Sequence, residues 1–124
     1  MSRFIDPAVS RPAGVTLAYS GKIVDEFGAA IGSARMTTLV MTLYEDVALY
    51  PIVHARDHVS ELNTDIGTLD VNGNLVIELT AADMVLLGAG PTENHVMLLE
   101  WTYDTGSKAG NHEVQFTVAT IHRL

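Results

Sequence analysis

The chain of 124 residues contains no cysteine and is poor in basic and aromatic side chains. The absence of cysteine excludes a disulfide framework, thiol chemistry and zinc ligation by cysteine. Only 7 Lys and Arg residues stand against 15 Asp and Glu residues, which gives a net charge of −8. Because nucleic-acid affinity comes mainly from Lys and Arg side chains that neutralise phosphates, we expect no nucleic-acid partner.

Long apolar runs are also missing. The longest apolar cluster lies within residues 84–90, far short of the roughly 18 apolar residues of a membrane-spanning helix. Asp6, Pro7 and Pro12 interrupt the region in which a secretory signal peptide would carry its apolar core. We therefore expect no signal peptide, no membrane span and no membrane partner.

The residues that are present suit one folded domain behind a short N-terminal arm. An apolar fraction of 48% supplies a core, and the length fits a single domain. Residues 1–14 carry two prolines, two arginines and one aspartate, a net charge of +1, whereas the rest of the chain carries −9. We predict an arm over 1–14 that docks on a neighbouring subunit, with a frayed terminus as the alternative, and a single domain over 15–124. The candidate interface residues of the arm are Arg3, Phe4, Ile5, Val9 and Arg11.

Alternation of apolar and polar residues predicts strands over most of the domain. In residues 36–45, Leu39, Met41 and Leu43 share one face of an extended chain, which is the period of a half-buried strand. Asn72-Gly73 lies between two such runs and predicts a tight hairpin with positive φ at both turn residues. The other predicted strands cover residues 15–24, 47–54, 67–71, 74–80, 95–103 and 113–121.

One segment favours a helix. Thr80-Ala-Ala-Asp83 fits a capping box, with Asp83 in place of the usual Glu or Gln, and predicts one short helical turn near residues 81–87. About seven strands with frequent turn signals are typical of an antiparallel sandwich. The predicted fold is therefore all-β, an antiparallel β-sandwich.

The strongest candidate for a metal site is the segment His54-Ala-Arg-Asp57-His58. Imidazoles and a carboxylate are ligands that suit zinc or iron. The segment follows a predicted strand, and no glutamate lies between the histidines as in the zinc-protease motif, so a polar loop is the favoured interpretation. Asp70, Asn72 and Asn74 alternate oxygen ligands as a calcium loop does, but the predicted hairpin turn explains them better.

The remaining histidines and aromatic residues give weaker signals. His95 and His112 flank a predicted hairpin and are candidates to pair across it. Trp101 and Tyr103 share one face of a strand, where the two rings either pack in the core, which we favour, or form a platform for a sugar. The chain has no nucleophile elbow, phosphate-binding loop or dinucleotide fingerprint. We therefore expect no enzymatic activity, no cofactor and no bound metal.

Five segments together resemble one family type. They show a Gly-x-hydrophobic-x-Asp turn, a strand that ends in Tyr-Glu, an Asn-Gly hairpin, a Glu-Trp-x-Tyr strand and a His-Glu-Val-x-Phe closing strand. In these features the chain resembles the small immunoglobulin-like β-sandwich proteins of tailed-bacteriophage virions over residues 15–121, although it lacks the cysteine pair of classical immunoglobulin domains. The segments are Tyr19–Gly28, Leu39–Glu45, Asp70–Thr80, His95–Tyr103 and His112–Phe116.

The resemblance implies a non-enzymatic structural protein of the virion, such as a capsid-decoration, head–tail or baseplate component. Its partners would be other virion proteins, which it contacts as a homo-oligomer or on a preformed lattice, and it would join particles in the host cytoplasm. No catalytic residue comes with the resemblance. The alternatives are a carbohydrate- or host-surface-binding module that uses Trp101 and Tyr103, and a metal-dependent enzyme that uses His54, Asp57 and His58.

Overall fold

The computed structural model describes residues 2–88 and 90–119, and for residues 2–12 it describes the backbone alone. In this part of the chain the strands are β1 (Ser2–Pro12), β2 (Leu17–Lys22), β3 (Met36–Glu45), β4 (Val59–Ser60), β5 (Gly67–Leu69), β6 (Asn74–Leu79), β7 (Thr92–Tyr103) and β8 (Lys108–Ala119). Sheet A has the strand order β1-β8-β7-β3-β4, and sheet B has the order β2-β6-β5. The predicted all-β antiparallel sandwich is confirmed, with eight strands among the described residues in place of about seven.

The strands pair in two antiparallel sets, β2-β6-β5 in sheet B and β8-β7-β3-β4 in sheet A. The edge strand β1 of sheet A lies parallel to β8. The loops β2–β3, β5–β6 and β7–β8 therefore lie at one end of the sandwich, and the loops β3–β4 and β6–β7 lie at the other.

The core lies between the sheets, where the central strands bury every second residue, as a period of two predicts. These buried residues are Leu39, Met41 and Leu43 on β3, Leu75, Ile77 and Leu79 on β6, and Val114, Phe116 and Val118 on β8. Trp101 and Tyr103 of β7 join the same core, with 9% and 4% of their surface exposed. Burial of each large apolar side chain stabilises the fold by about 1.5–3 kcal/mol, which is how a chain without disulfides stays folded.

The backbone of residues 2–12, which we predicted as a docking arm, runs as an edge strand along β8 of the same chain. Its pairing is irregular between Ile5 and Ser10. An edge position accommodates Pro7, since proline has no N–H to donate to a second neighbour. Docking of this segment on another subunit stays a prediction. The side chains of the candidate interface residues Arg3, Phe4, Ile5, Val9 and Arg11 lie outside the described part of the structure.

The predicted strand over residues 47–54 is wrong. Leu49 and Tyr50 have left-handed φ angles of 70° and 46°, and His54 and Ala55 are left-handed as well. One isolated bridge joins the segment to β3. Repeated left-handed residues bend the backbone, so the segment cannot stay extended beside β3 despite its alternating apolar residues.

The β5–β6 hairpin is confirmed, but its turn differs from the predicted type. Gly73 has a φ of 83°, whereas Asn72 is not left-handed. One oxygen of the Asp70 carboxylate accepts hydrogen bonds from the backbone N–H groups of Asn72 and Asn74 at 2.8 and 2.9 Å. This side chain closes a turn that is longer than two residues. The turn also accounts for the oxygen-rich pattern that suggested calcium.

The capping box is confirmed, but the helical turn it begins is shorter than predicted. A 3₁₀ turn covers Ala81–Asp83 rather than residues 81–87. Asp83 Oδ2 accepts hydrogen bonds from the backbone N–H and the hydroxyl group of Thr80, at 2.8 and 2.9 Å. Met84 then leaves helical geometry and is fully buried, so core packing ends the turn. No helix within the described residues is long and apolar enough to cross a membrane.

Removal of the indole ring of Trp101 tests the description of the core. We expect Trp101→Ala to lower the free energy of unfolding by about 3–5 kcal/mol, because the lost ring leaves a cavity. Denaturant titration followed by circular dichroism measures this loss. Phe27→Ala is the matched control, because its ring is 84% exposed. Equal stabilities of the two variants would show that Trp101 does not pack in the core.

Candidate interaction surface

A buried arginine, Arg56, joins three carboxyl groups beneath the loops at the β3–β4 end of the sandwich. Its Nε lies 2.8 Å from Asp83 Oδ1, and its Nη2 lies 3.2 Å from Asp83 Oδ2, so the contact is bidentate. Its Nη1 contacts Asp65 and lies 3.6 Å from Glu61 Oε2. His54 Nδ1 lies 2.6 Å from Asp83 Oδ1. We call these five residues the Arg56 cluster.

Burial and pairing act in opposite directions on the acids of this cluster. Burial acts to raise the pKa of Asp83, but hydrogen bonds from Arg56 and His54 outweigh it and lower that pKa to about 2. For Glu61, burial raises the pKa to about 8, and the neighbouring Asp65 carboxyl adds to the rise. Glu61 is therefore mostly protonated at neutral pH, whereas Asp83 carries the charge that pairs with Arg56.

The Arg56 cluster fixes the course of the loop between β3 and β4. The carbonyl oxygen of Arg56 accepts a hydrogen bond from the Leu43 N–H group at 2.8 Å. Val53 N–H donates to the Leu43 carbonyl at 2.9 Å, and Glu45 N–H donates to the Pro51 carbonyl at 2.9 Å. The loop is thus held along β3 by backbone hydrogen bonds, while the Arg56 side chain fastens it to the turn that follows β6.

The outer part of this loop, residues 46–50, presents apolar side chains to solvent. Leu49 is 95% exposed and Tyr50 is 61% exposed, and both are left-handed. Such a backbone conformation costs a bulky residue of order 1–3 kcal/mol. The loop is nevertheless fixed, because Asp46 N–H donates to the Asn94 carbonyl at 2.8 Å. A fixed and strained loop that exposes a leucine and a tyrosine is typical of a contact surface.

At the opposite end, Arg35 links the β2–β3 loop to the β7–β8 turn. Its Nη1 lies 3.1 Å from Asp25 Oδ2. Its Nε and Nη2 lie 3.0 and 2.9 Å from the two carboxylate oxygens of Asp104. The Arg35 guanidinium lowers the pKa of Asp104, so this pair stays charged well into the acidic range.

The turn that follows Asp25 has a fixed backbone and presents a second exposed apolar side chain, that of Phe27. Asp25 Oδ1 accepts hydrogen bonds from the N–H groups of Phe27 and Ala29 at 2.9 and 3.0 Å, which sets the shape of the turn. The Lys108 Nζ atom lies 5.8 Å from the centre of the Phe27 ring. Both ends of the sandwich therefore combine charged groups that fix a loop with an apolar side chain that projects from it.

A third polar contact, between Glu93 and His95, holds the β6–β7 loop. His95 is fully buried, and its Nε2 lies 2.8 Å from Glu93 Oε1. The Glu93 carboxylate also accepts hydrogen bonds from the N–H groups of Leu87 and Gly88 at 2.8 and 2.6 Å. Burial acts to raise the pKa of Glu93, but these hydrogen bonds outweigh it and lower the pKa. Glu93 thus ties the loop backbone to β7.

The candidate metal segment does not gather into one site. His54 contacts Asp83, whereas His58 Nδ1 lies 2.6 Å from Asp57 Oδ1 on the same loop. Among the side chains that the structure describes, no three His, Cys, Asp or Glu residues are arranged to hold a metal ion. The structure therefore gives the metal-dependent enzyme alternative no support.

The structure of β7 tests two further predictions, the pairing of His95 with His112 and the position of the Trp101 and Tyr103 rings. Phe116 lies opposite His95, so the predicted pairing of His95 with His112 is wrong. Trp101 and Tyr103 point into the core. Their burial leaves little ring surface on which a sugar could stack.

The outer surface beside Trp101 carries a shallow depression of about 390 Å³. The hydroxyl oxygens of Thr38 and Thr102 lie 2.7 Å apart at this position, and Glu100 and His58 add a carboxyl group and an imidazole. An open depression of this kind differs from the enclosed clefts in which small molecules bind. It suits contact with an extended partner.

Sequence reasoning missed Arg56, which holds the loops together, and Leu49, which projects from them. Thr80 and Asp83 give a local signal for the cap, but Arg56 lies 27 positions from its partner Asp83. The available signal was the scarcity of basic residues, because a lone arginine in an acidic loop is a candidate partner for a buried acid.

We expect Glu61→Gln to change how stability depends on pH. The pKa of Glu61 is about 8 in the folded protein, above its ordinary value of about 4. The contribution of this group to wild-type stability is therefore complete below about pH 4, and it is lost as the pH rises from there through 8. Glutamine does not ionise, so the variant becomes more stable relative to wild type across that range. Denaturant titrations at several pH values measure the difference, and the exposed Glu78→Gln is the control. A difference that does not change with pH would contradict the burial of an ionisable Glu61.

We expect Arg35→Met to loosen the loops at the β2–β3 end without unfolding the sandwich. Because Arg35 connects Asp25 to Asp104, its loss should speed amide hydrogen exchange at Phe27 and Ala29, while exchange in β6 stays slow. Lys22→Met removes a basic side chain from the same end and is the control. Unchanged exchange at Phe27 in the Arg35 variant would show that the ion pairs do not hold this turn.

Comparison of the chain with protein-family models, with curated proteins and with solved structures finds no match in any of the three. Function is therefore inferred from the geometry and charge of the described residues, together with the sequence resemblance.

Proposed function

We propose that this protein is a non-enzymatic structural component of a bacteriophage virion that acts through contacts with other proteins. The observation that carries the proposal is the exposure of Leu49 and Phe27 on loops fixed by hydrogen bonds. A monomer in water loses stability by holding a leucine exposed in a strained turn. A subunit that buries the same side chain against a neighbour recovers the apolar surface.

Fixed loops favour permanent assembly over transient capture of a substrate. A side chain that becomes immobilised on binding costs about 0.5–1.5 kcal/mol. The Arg56 cluster and the Arg35 ion pairs have ordered the loops before a partner arrives, so this cost is reduced. The contact surfaces are therefore preorganised.

The charges support a partner that presents a local basic patch to this chain. The net charge of −8 favours a basic surface on the neighbour and speeds the encounter with it. The buried carboxylates of Asp83 and Glu93 bind donors of their own chain, which supports a structural role for them.

The resemblance of the sequence to virion sandwiches supplies the setting. We assign the protein to capsid decoration, to the head–tail connection or to the baseplate, with assembly in the host cytoplasm. It would act there as a homo-oligomer or as a subunit bound to a lattice of other virion proteins.

A carbohydrate- or host-surface-binding module is the second candidate, and the depression beside Trp101 is the observation that favours it. Its hydroxyl and carboxylate groups offer donors and acceptors to a sugar. Binding on a glycan array that Glu100→Gln abolishes, with the fold intact, would favour this candidate over the first.

The virion proposal is tested by the presence of the chain in purified particles. Cells that express the native gene are induced, particles are purified on a density gradient, and each fraction is quantified by mass spectrometry. We expect the chain to sediment with the major capsid protein at a fixed copy number per particle. A chain found only in the soluble fraction, while complete particles form, would contradict the proposal.

A further inference from the structure

Leu49 projects from an acidic part of the surface. The loop that carries it begins with Asp46 and follows Glu45, and residues 44–53 contain no basic side chain. Asp46 is exposed, and Glu45 is half-buried. A surface that receives this loop therefore needs an apolar recess with basic groups at its opening.

The chain itself offers such a recess. Beside the edge strand β2, the space between the two sheets opens into a recess of about 130 Å³, which we call the inter-sheet recess. The exposed Lys22 and the half-buried His112 line it together with apolar side chains. The pairing of β1 with β8 begins at His112, so the described β1 does not extend along the first residues of β8. The apolar lining includes Ile23, Val24, Leu75, Leu99 and Trp101.

The inter-sheet recess matches a leucine side chain in size and the Leu49 loop in charge. A protein cavity of roughly 150 Å³ holds benzene, which has six carbons. A recess of about 130 Å³ therefore has room for the four carbons of a leucine side chain. Lys22 at the recess and Asp46 beside Leu49 carry opposite charges, which favours this pairing and fixes its orientation.

One chain cannot fill its own recess. The Leu49 loop follows the end of β3, where Glu45 lies opposite His95 of β7. Trp101, which lines the recess, lies six residues further along β7, roughly 20 Å away. Two complementary surfaces at different places on one chain produce a head-to-tail contact, which closes into a ring or continues as a filament.

We propose that Leu49 of one copy inserts into the inter-sheet recess of a second copy, and that repetition of this contact builds a ring or a filament. This inference rests on the proposed function, because it names a second copy of the chain as a partner of the structural subunit. Three observations support the inference: the exposure of Leu49, an apolar recess of matching volume, and opposite charges at the two surfaces.

The test measures the mass of the purified full chain by light scattering over a range of concentrations. Wild-type protein should form a discrete ring or a growing filament. Leu49→Asp should stay monomeric at every concentration. Leu49→Ala should raise the dissociation constant more than about tenfold, because the substitution removes apolar carbons from the inter-sheet recess. Val24→Trp, which blocks the recess with a bulky ring, should also be monomeric. Lys22→Glu replaces it if the tryptophan variant does not fold.

Mixing the variants separates a head-to-tail contact from a symmetric one. Leu49→Asp keeps its recess and Val24→Trp keeps its leucine, so an equimolar mixture should form a 1:1 dimer that grows no further. Val71→Asp replaces an exposed apolar residue of another loop and should assemble as wild type does. Circular dichroism confirms that each variant is folded.

Three results would overturn the inference: a wild-type chain that stays monomeric, a Leu49→Asp variant that assembles as wild type does, or a mixture that stays monomeric. Failure here is distinguishable from failure of the proposed function. A chain that is present in particles but does not assemble through Leu49 leaves the virion role standing. A chain that assembles through Leu49 but is absent from particles retains the contact and loses the role.

Discussion

The contact between Arg56 and Asp83 is the constraint on which the loop geometry of this protein depends. Both side chains are buried, and a buried charge is tolerated only when it is paired and hydrogen-bonded. The pair joins the loop that follows β3 to the turn that follows β6. In a chain without cysteine, this contact supplies the cross-connection between distant loops that disulfides give to other sandwiches.

An arginine paired with carboxylates also holds a loop at the β2–β3 end of the sandwich, and this repeated arrangement connects the fold to the proposed function. Arg35 fixes the β2–β3 loop as Arg56 fixes the β3–β4 loop, and each fixed loop projects an apolar side chain. Arg56 and Arg35 thus hold the loops from which Leu49 and Phe27 project into solvent. Loops that are ordered in advance lower the entropy cost of assembly, which suits a subunit that is incorporated once and stays.

The regular part of the fold could be predicted from the sequence, and the loop arrangement could not. In β3, β6 and β8 every second residue faces one core, so local alternation reports their structure directly. Residues 47–54 show similar alternation, yet left-handed residues bend them, and the contact of Arg56 with the distant Asp83 helps to hold the bent loop. Thr80 and Asp83 are close in sequence, and their cap was predictable. Leu49 lies on a loop whose path includes contacts with residues distant in sequence, and no local pattern reports its exposure.

The claim that the Arg56 cluster holds the exposed loop in place is tested most directly by amide hydrogen exchange at Tyr50 and Val53. The Tyr50 N–H group donates to the Val47 carbonyl within the loop, and the Val53 N–H group donates to the Leu43 carbonyl of β3. In wild-type protein we expect slow exchange at both amides, and in Arg56→Met we expect fast exchange there while β6 stays protected. Fast exchange of the two amides in the wild-type protein, or equal protection in the variant, would contradict the account.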